Sequence, residues 1–241
     1  DASYVGVAEG LQTPIAFCEL NPPEDPPLLF YRSPVAPDLT LTREDVPWDL
    51  VERVPILWLT GTGVSIQPAR NTQREMLTRR ARPEPGSGRW TILDLDWRPT
   101  FWPSLEDARA EYDVLLDHVT VTVGNRAEVE VAVGTSDPDE AARRLIDRGM
   151  ELAIVKLGAE GVLVATADGS TVVRPHPVEV VCGLGAGDAF GAALVHGLLS
   201  GWEAPRCAEY ANAAGAIVAS RLACADAMPT VAELDALVDS R

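Results

Sequence analysis

Short apolar runs alternate with helical patterns along most of the chain, and this alternation is typical of a parallel sheet flanked by helices. Apolar runs of four to six residues, rich in β-forming side chains and bounded by turn signals, predict the strands. These predicted strands are Ile56–Thr60, Trp90–Asp94, His118–Val123, Leu152–Lys156, Val162–Thr166 and Thr171–Arg174. The pattern therefore predicts an α/β fold.

The helices are marked by apolar periodicity and by their end signals. Asp137 can cap a helix, Pro138 suits its first turn, and Gly149 ends it. A longer helix is predicted from about Pro205 to Leu222, and a last one over Val231–Val238. No internal repeat or low-complexity tract interrupts this order.

The N-terminal part has a different pattern. Pro14–Leu20 and Leu28–Arg32 are short extended runs, and the proline-rich segment Asn21–Pro27 joins them. Those prolines exclude a helix and favour an open turn between two strands. We therefore expect a small β lid in residues 1–40, attached to an α/β nucleotide-binding domain in residues 41–241.

Composition and charge limit the classes of partner. The chain has 241 residues, a hydrophobic content of 46% and a formal charge of −16. A core of ordinary size can form, and the acidity argues against nucleic acid or an anionic membrane as a partner. No apolar run reaches the length of a membrane span and no signal peptide opens the chain, so we expect a cytoplasmic protein. Its four cysteines form no C-x-x-C pair and are expected to be reduced thiols.

The most informative motif is a run of alternate glycines. Gly183, Gly185 and Gly187 directly precede Asp188, and an apolar helical run follows. Such glycines let backbone N–H groups point into a concavity, and the new helix adds its positive end, so the loop predicts an anion hole. A carboxylate at its mouth suits a base that deprotonates a hydroxyl attacking a bound phosphate. The spacing fits neither G-x-G-x-x-G nor a P-loop, whereas a simple capped helix start is the alternative.

Residues Gly185-Ala-Gly-Asp188 resemble the second signature of the ribokinase-like sugar kinases, the PfkB family. The resemblance implies a three-layer α/β/α domain with a small β lid, and ATP and Mg²⁺ as cofactors. It implies Asp188 as the catalytic base and the amides of Gly185, Ala186 and Gly187 as the anion hole. Many members have an Asp, associated with a monovalent cation, where this chain has Cys182. A potassium site of that type is therefore not expected.

A candidate metal site follows the third predicted strand. Asn125 and Glu128 match the N-x-x-E motif of the family, which implies that they hold Mg²⁺ through its waters. Without the resemblance, an Asn and a Glu at the start of a helix are equally well explained as its cap.

The candidate nucleotide residues lie further along the chain. Lys156, Gly158 and Gly161 fall where the family has its G-x-x-G nucleotide loop, and Asn212 matches a family position near the adenine. A tight turn that requires glycines, and a solvated asparagine on a helix, are the alternatives from the residues alone.

Two arginines are candidates for the substrate site. Asp94-Leu-Asp-Trp-Arg98-Pro resembles a D-x-N-x-R-P pattern of acid-sugar kinases, with Asp96 in place of the Asn. Arg32 ends the lid in a Phe-Tyr-Arg run that resembles a lid contact to a sugar acid. An arginine can hold a carboxylate through two parallel hydrogen bonds, so two of them favour an anionic sugar. Either arginine alone is better explained as a surface residue.

Taken together, the motifs are most similar to the branch of the family that phosphorylates 5-dehydro-2-deoxygluconate in myo-inositol breakdown. The implied reaction is transfer of phosphate from ATP to the primary hydroxyl of a small keto-deoxy sugar acid. A homodimer through the β lid is also expected. The chain lacks the G-G-x-x-x-N signature of the family, so we expect an N-terminal segment to be missing. Alternatives are a 2-dehydro-3-deoxygluconokinase, a fructokinase, or a nucleotide-binding fragment with impaired catalysis.

Overall fold

A computed structural model of the chain describes residues 2–24 and 26–240. Within those residues the strands are β1 (Ile15–Cys18), β2 (Leu28–Tyr31), β3 (Ile56–Thr60), β4 (Trp90–Asp94), β5 (Val121–Asn125), β6 (Leu152–Lys156), β7 (Val162–Thr166) and β8 (Gly169–Val173). The α-helices are α1 (Trp48–Arg53), α2 (Ala69–Arg80), α3 (Leu105–Leu116), α4 (Arg126–Val133), α5 (Pro138–Asp147), α6 (Ala186–Leu199), α7 (Ala204–Ala219) and α8 (Val231–Asp239).

Two sheets are present, and they differ in strand direction. Strands β1 and β2 form an antiparallel hairpin in which Cys18 pairs with Leu28. The other six strands follow chain order across the second sheet, and β3 to β6 pair in parallel. Only residues 167 and 168 join β7 to β8, which requires an antiparallel pair because a parallel crossover needs about a dozen residues. The fold is thus α/β with helices on both sides of the sheet, as the sequence predicts, but the sheet is mixed where a parallel sheet was predicted.

Internal contacts divide the chain into two compact units. Unit 1 comprises Asp1–Pro14, Arg32–Lys156 and Ala165–Ser170, and unit 2 comprises Ile15–Tyr31, Leu157–Val164 and Thr171–Arg241. The expected boundary between a lid and a nucleotide-binding domain at residue 40 stays a prediction.

In unit 1, four parallel strands bring polar side chains to one edge of the sheet. The register pairs Thr60 at the end of β3 with Asp94 at the end of β4, and Asn125 of β5 with Lys156 of β6. The interiors of β4, β5 and β6 are buried and mostly apolar, with Thr91 and Thr122 as buried polar residues, since parallel strands are covered on both faces. The charged and amide side chains of these strands lie at the strand ends, which is where ligands bind in open α/β sheets.

In unit 2, helices α6 and α7 approach closely because small residues line their contact. Ala189 and Ala193 of α6 and Ala211 of α7 are buried. A Cβ added at Gly197 of α6 would lie 2.7 Å from the Sγ of Cys207 in α7. This close packing fixes the helix that begins at the glycine loop.

Most predicted elements are confirmed. Four strands have the predicted bounds, the hairpin of the N-terminal part is present, α5 begins directly after its predicted cap Asp137, and α8 begins at the predicted Val231. The strand predicted over His118–Val123 instead runs from Val121 to Asn125, and α7 ends at Ala219 rather than near Leu222. In the part of the chain that the structure describes, no helix is both long and apolar enough to cross a membrane.

Candidate active site

The glycine loop of unit 2, residues 183–187, turns directly into helix α6. Gly185 is the N-cap, with φ of 87°, and a Cβ there would lie 2.6 Å from the Sγ of Cys224. Both the left-handed backbone and the close sulfur therefore require glycine at this position. The Ala186 N–H donates to the Gly183 carbonyl at 3.2 Å. The amides of the first helical turn lack intrahelical acceptors, so the loop ends in a group of N–H donors.

Asp188 lies in the first turn of α6, and its side chain is exposed. A carboxylate is stabilised there by the positive end of the helix dipole. Burial raises the pKa of the nearby Cys224 thiol, and the negative charge of Asp188 raises it further. Asp188 therefore combines access to solvent with a position beside the N–H donors of the loop.

In unit 1, Asn125 and Glu128 form a capping box at the start of α4. The Asn125 side chain accepts from the Glu128 N–H at 3.0 Å, and the Glu128 carboxylate accepts from the Asn125 N–H at 2.7 Å. Glu128 is only 4% exposed, and Lys156 Nζ lies 4.0 Å from its Oε2. Both residues thus cap the helix, the alternative that the residues alone allowed, while Lys156 balances the charge of the buried carboxylate.

Asp94, at the end of β4, is the most perturbed carboxyl group of this edge. Burial raises its pKa to about 6; the positive charge of Lys156 opposes this rise, and Glu128 and Asp96 add to it. Its Oδ1 atom is buried and has no hydrogen-bond partner in the described part of the chain. Such an atom is costly unless a ligand or an ion satisfies it.

Asp96, two residues further on, is held in an unusual backbone conformation. Its φ is 30°, which side chains other than glycine rarely adopt. Its Oδ2 accepts a hydrogen bond of 2.5 Å from the Thr62 hydroxyl, and its Oδ1 lies 3.2 Å from Nε of Arg98. The strained turn therefore aims both the Asp96 carboxylate and the Arg98 guanidinium.

Arg32 is fixed by an aspartate and by an aromatic ring. Its Nη2 donates to both carboxylate oxygens of Asp38, at 2.9 and 2.8 Å, and its guanidinium lies 4.7 Å from the Phe101 ring centroid. Phe101 ends the short 3-10 helix that follows Arg98, and its N–H donates to the Arg98 carbonyl. Phe101 thus connects the two predicted substrate arginines within unit 1.

The predicted nucleotide residues have distinct structural roles. Lys156 is in unit 1, whereas Gly158, Gly161 and Asn212 are in unit 2. Gly158 has open space where a Cβ would be, but a Cβ at Gly161, with φ of 104°, would collide with the Val173 carbonyl. Gly161 is therefore required by the turn itself, which is the alternative that the residues allowed.

Asn212 is more than a solvated helix residue. Its Nδ2 donates to the carbonyls of Val173 and Arg174, at 3.2 and 3.3 Å, and so holds the chain that leaves β8. Its side-chain oxygen is the group that these two bonds do not use.

Three contacts were missed by the sequence interpretation. Asp38 bonds to the predicted Arg32 and Phe101 stacks on it, while Thr62 bonds to Asp96, the partner of the predicted Arg98. A signal existed for Thr62, which lies in a Gly-Thr-Gly turn immediately after β3. Nothing local marks Asp38 as the partner of Arg32, because the pairing depends on the path of the chain.

The carboxylates of unit 1 are better suited to bind Mg²⁺, which keeps several water ligands, than a metal ion whose ligands are all protein side chains. Among residues 2–24 and 26–240, no group of three or more His, Cys, Asp or Glu side chains could hold a metal ion. Asp94 is instead a single carboxylate at the end of β4, with one unsatisfied oxygen, and Glu128 is a single carboxylate in the first turn of α4. Magnesium is commonly bound through one or two carboxylates, several waters and the phosphates of a substrate.

The comparisons with known proteins point to carbohydrate kinases. A family model described as pfkB family carbohydrate kinase matches residues 1–231. The 5-dehydro-2-deoxygluconokinase of Geobacillus kaustophilus is 32% identical over 235 residues, which cover 95% of this chain and 69% of that protein.

Solved structures agree on the fold. A fructokinase from Vibrio cholerae O395, in a form with fructose, ADP and calcium ion, has a TM-score of 0.84 at 22% identity and covers 99% of this chain and 77% of that one. An E. coli structure named as a putative ribokinase II, in complex with ATP and Mg²⁺, has a TM-score of 0.76 at 22% identity, covering 90% and 68%.

Proposed function

Because the chain belongs to the pfkB family of carbohydrate kinases, we propose that it transfers the γ-phosphoryl group of ATP to the primary hydroxyl of a keto-deoxy sugar acid, 5-dehydro-2-deoxy-D-gluconate. The observation that carries the proposal is the position of Asp188 in the first turn of α6, directly after the left-handed N-cap Gly185. A base and a set of N–H donors are thereby built into one turn.

The residues of the glycine loop have separate roles in this reaction. The Asp188 carboxylate orients the sugar hydroxyl and takes its proton. The backbone amides of Gly185, Ala186 and Gly187 face the charge that develops on the transferring phosphoryl group. A carboxylate of ordinary basicity is sufficient, because the transition state of phosphoryl transfer is loose and the proton can leave late.

The residues that the sequence predicts for the nucleotide and its metal are proposed to bind them. Bound Mg²⁺ would neutralise the phosphate charge, and Glu128, with Asn125 beside it, would hold the waters of that ion. Lys156 balances Glu128 at 4.0 Å. Gly158 and Gly161 allow the backbone to approach the nucleotide, and Asn212 offers a polar contact to it. ATP and Mg²⁺ in the ribokinase II structure support this proposal.

The sugar acid is proposed to be held by Arg32 and Arg98. Both arginines form an ion pair with an aspartate of the chain, Arg32 with Asp38 and Arg98 with Asp96. A substrate carboxylate that replaces Asp38 on Arg32 leaves the charge balance of that guanidinium unchanged. The name of the Geobacillus relative supports this class of substrate.

A fructokinase is the second candidate, and the same ion pairs favour it. If Asp38 and Asp96 keep their arginines when substrate binds, the pocket offers no surplus positive charge and a neutral sugar fits better. The fructokinase structure, with fructose bound, supports this reading at the level of the fold. A 2-dehydro-3-deoxygluconokinase would share the acid preference of the first candidate.

A substrate panel tests the proposal. Initial rates of ADP formation are compared for 5-dehydro-2-deoxygluconate, 2-dehydro-3-deoxygluconate, fructose and ribose at saturating Mg·ATP. The proposal requires the highest kcat/KM for 5-dehydro-2-deoxygluconate. Equal or higher values for fructose would establish the second candidate, and ATP binding without turnover on any sugar would indicate impaired catalysis.

The hairpin is proposed to join two copies of the chain. Its outward positions Ile15, Phe17, Leu29 and Tyr31 are between 54% and 69% exposed, an unusual cluster of large apolar side chains. Sedimentation velocity of Phe17→Ser/Leu29→Ser against the parent chain tests this interface, since only the parent should sediment as a dimer.

A further inference from the structure

Three of the four cysteines lie at the glycine loop of unit 2. Cys182 immediately precedes the loop, is 4% exposed, and has its Sγ 3.9 Å from the Sγ of Cys18 in β1. Cys224 is the residue whose Sγ lies against Gly185. All of these cysteines are free thiols. A disulfide bond has a length of about 2.05 Å, so Cys18 and Cys182 need to approach by only about 2 Å.

The two thiols stand on opposite sides of a contact between the hairpin and the loop. The backbone of Cys182 is fixed, because its N–H and that of Val181 both donate to the Ala219 carbonyl at the end of α7. The hairpin meets the loop where the Gly183 N–H donates to the Pro23 carbonyl at 2.9 Å. A Cβ at Gly183 would lie 2.8 Å from the Glu24 carbonyl oxygen, so this approach requires glycine.

In a monomer, where no second copy covers the hairpin, a small reagent can reach Cys18 from solvent. Cys18 lines an open recess of about 350 Å³, together with Phe17, Glu19, Pro27, Leu28 and Leu29. Cys182 is buried behind it. The half-exposed thiol can therefore meet a reagent first, and the buried thiol can then resolve the product.

We propose that Cys18 and Cys182 are a redox-active thiol pair, in which oxidation by a low-molecular-weight disulfide closes an internal disulfide and fixes the hairpin on the glycine loop. The Cys18 thiolate attacks one sulfur of the reagent and expels one small thiolate. The Cys182 thiolate then attacks the Cys18 Sγ and expels the second. The two cysteines lose two electrons and two protons, and the reagent gains them as two small thiols.

The pair reacts slowly with disulfides at neutral pH and faster at higher pH. Burial raises the pKa of the Cys18 thiol, and Cys182 raises it further through a hydrogen bond and its charge. The Cys18 thiol, which must attack the reagent first, is therefore mainly protonated at neutral pH, and exchange is slow because the thiolate is the nucleophile.

The test uses the whole chain, diluted until it sediments as a monomer, and bis(2-hydroxyethyl) disulfide, which is neutral and avoids repulsion by Glu19. After reaction at mildly alkaline pH, the intact mass and a peptide map are measured for the parent chain, Cys18→Ala and Cys224→Ala. We expect the parent and Cys224→Ala to lose two hydrogen atoms and to yield one peptide linking Cys18 to Cys182. Cys18→Ala should form no internal disulfide.

Hydrogen exchange reports whether the bond fixes the hairpin. The amides of residues 15–31 should exchange more slowly in the oxidised parent than in the reduced parent, and dithiothreitol should reverse the change. A stable mixed disulfide on Cys18, a link from Cys182 to Cys224, or unchanged exchange in the oxidised chain would each overturn the proposal.

Turnover supplies a separate readout that rests on the proposed kinase function. Oxidation should remove most of the sugar-dependent ADP formation of the parent chain, and reduction should restore it. A chain that forms the disulfide but phosphorylates no sugar in either state would contradict the proposed function and leave the thiol pair established.

Discussion

The glycine loop of unit 2 and the charged edge of unit 1 prepare for anions in opposite ways. The loop uses backbone: Gly185 adopts a φ of 87°, and the donors that follow it are amides. The edge uses side chains, and every arginine assigned to substrate already has a carboxylate partner, Asp38 for Arg32 and Asp96 for Arg98. The loop therefore has donors to offer at once, whereas the edge must exchange a partner before it can bind an anion.

This difference predicts different sensitivities to substitution. Backbone N–H donors carry no net charge, so a site built from them loses activity mainly when the backbone geometry is disturbed. Paired side chains fail when one partner is removed, because the other is left with an uncompensated charge. Changes in the loop should thus act mainly on kcat and on folding, and changes at the edge on KM and on pH dependence.

The largest effect is expected for Asp188→Asn. Loss of a positioned base should lower kcat by roughly 10²–10⁴-fold, with the Kd for ATP nearly unchanged. Steady-state kinetics and isothermal titration with ATP measure the two quantities. Asp139→Asn is the matched control, since Asp139 is also exposed in the first turn of a helix, α5. Retention of more than about a tenth of parental turnover would show that Asp188 is not the base.

Gly185→Ala should give the next largest effect. The left-handed φ costs about 1–3 kcal/mol for a residue with a side chain, and the contact with Cys224 at 2.6 Å adds to it. Urea unfolding measures the loss. Gly88→Ala is the control, because Gly88 has a φ of 72° but open space around it, so it isolates the backbone cost. Equal losses of unfolding free energy in the two variants would show that the contact with the Cys224 sulfur adds no cost.

Arg98→Ala should weaken use of the sugar acid by a charge-assisted contact, about 1.5–3 kcal/mol in kcat/KM. The comparison is with fructose, for which little change is expected. Arg143→Ala controls for the loss of an exposed, ion-paired arginine, since Arg143 pairs with Glu140 on α5. An equal loss on both substrates would mean that Arg98 supports the edge rather than recognising an acid.

Asp94→Asn should produce the smallest change, in the pH dependence of stability. The folded pKa of Asp94 is about 6, above the ordinary value of 3.8, so folding favours its protonated form. The contribution of protonated Asp94 to the free energy of unfolding is fully present below its pKa in the unfolded chain, and it is lost as the pH rises through about 6. Between about pH 5 and pH 7 the parent should lose about 1 kcal/mol that the variant does not lose. Urea unfolding at the two pH values measures this loss. An equal change in unfolding free energy for the parent and the variant would argue against a buried, titrating Asp94.

The fold was accessible from sequence where each signal was local. Strands β3, β4, β6 and β7 are continuous apolar runs, so their bounds follow from the residues themselves. The start and end of β5 were misplaced because Asn125 is polar yet pairs with Lys156 and caps α4 at once. Propensity alone cannot show that one residue ends a strand and begins a helix.

The candidate site divides in the same way. The requirement for glycine at 185 is a property of one turn, and the sequence reveals it. The aromatic contact of Arg32 cannot be predicted in this way, because Phe101 lies 69 positions further along the chain. Likewise, the role of Asn212 at Val173 depends on where α7 passes β8, and only tertiary structure shows it.

The capping box of α4 has a consequence for how sequence variation at this site is interpreted. Asn125 and Glu128 satisfy each other's backbone amides, a contribution of about 1 kcal/mol per cap to folding. Selection for soluble expression alone would therefore retain both residues in a randomised library, even with no selection for catalysis. Retention of both residues would thus be weak evidence for metal binding, and only variants that preserve the cap while altering the carboxylate can separate selection for folding from selection for catalysis.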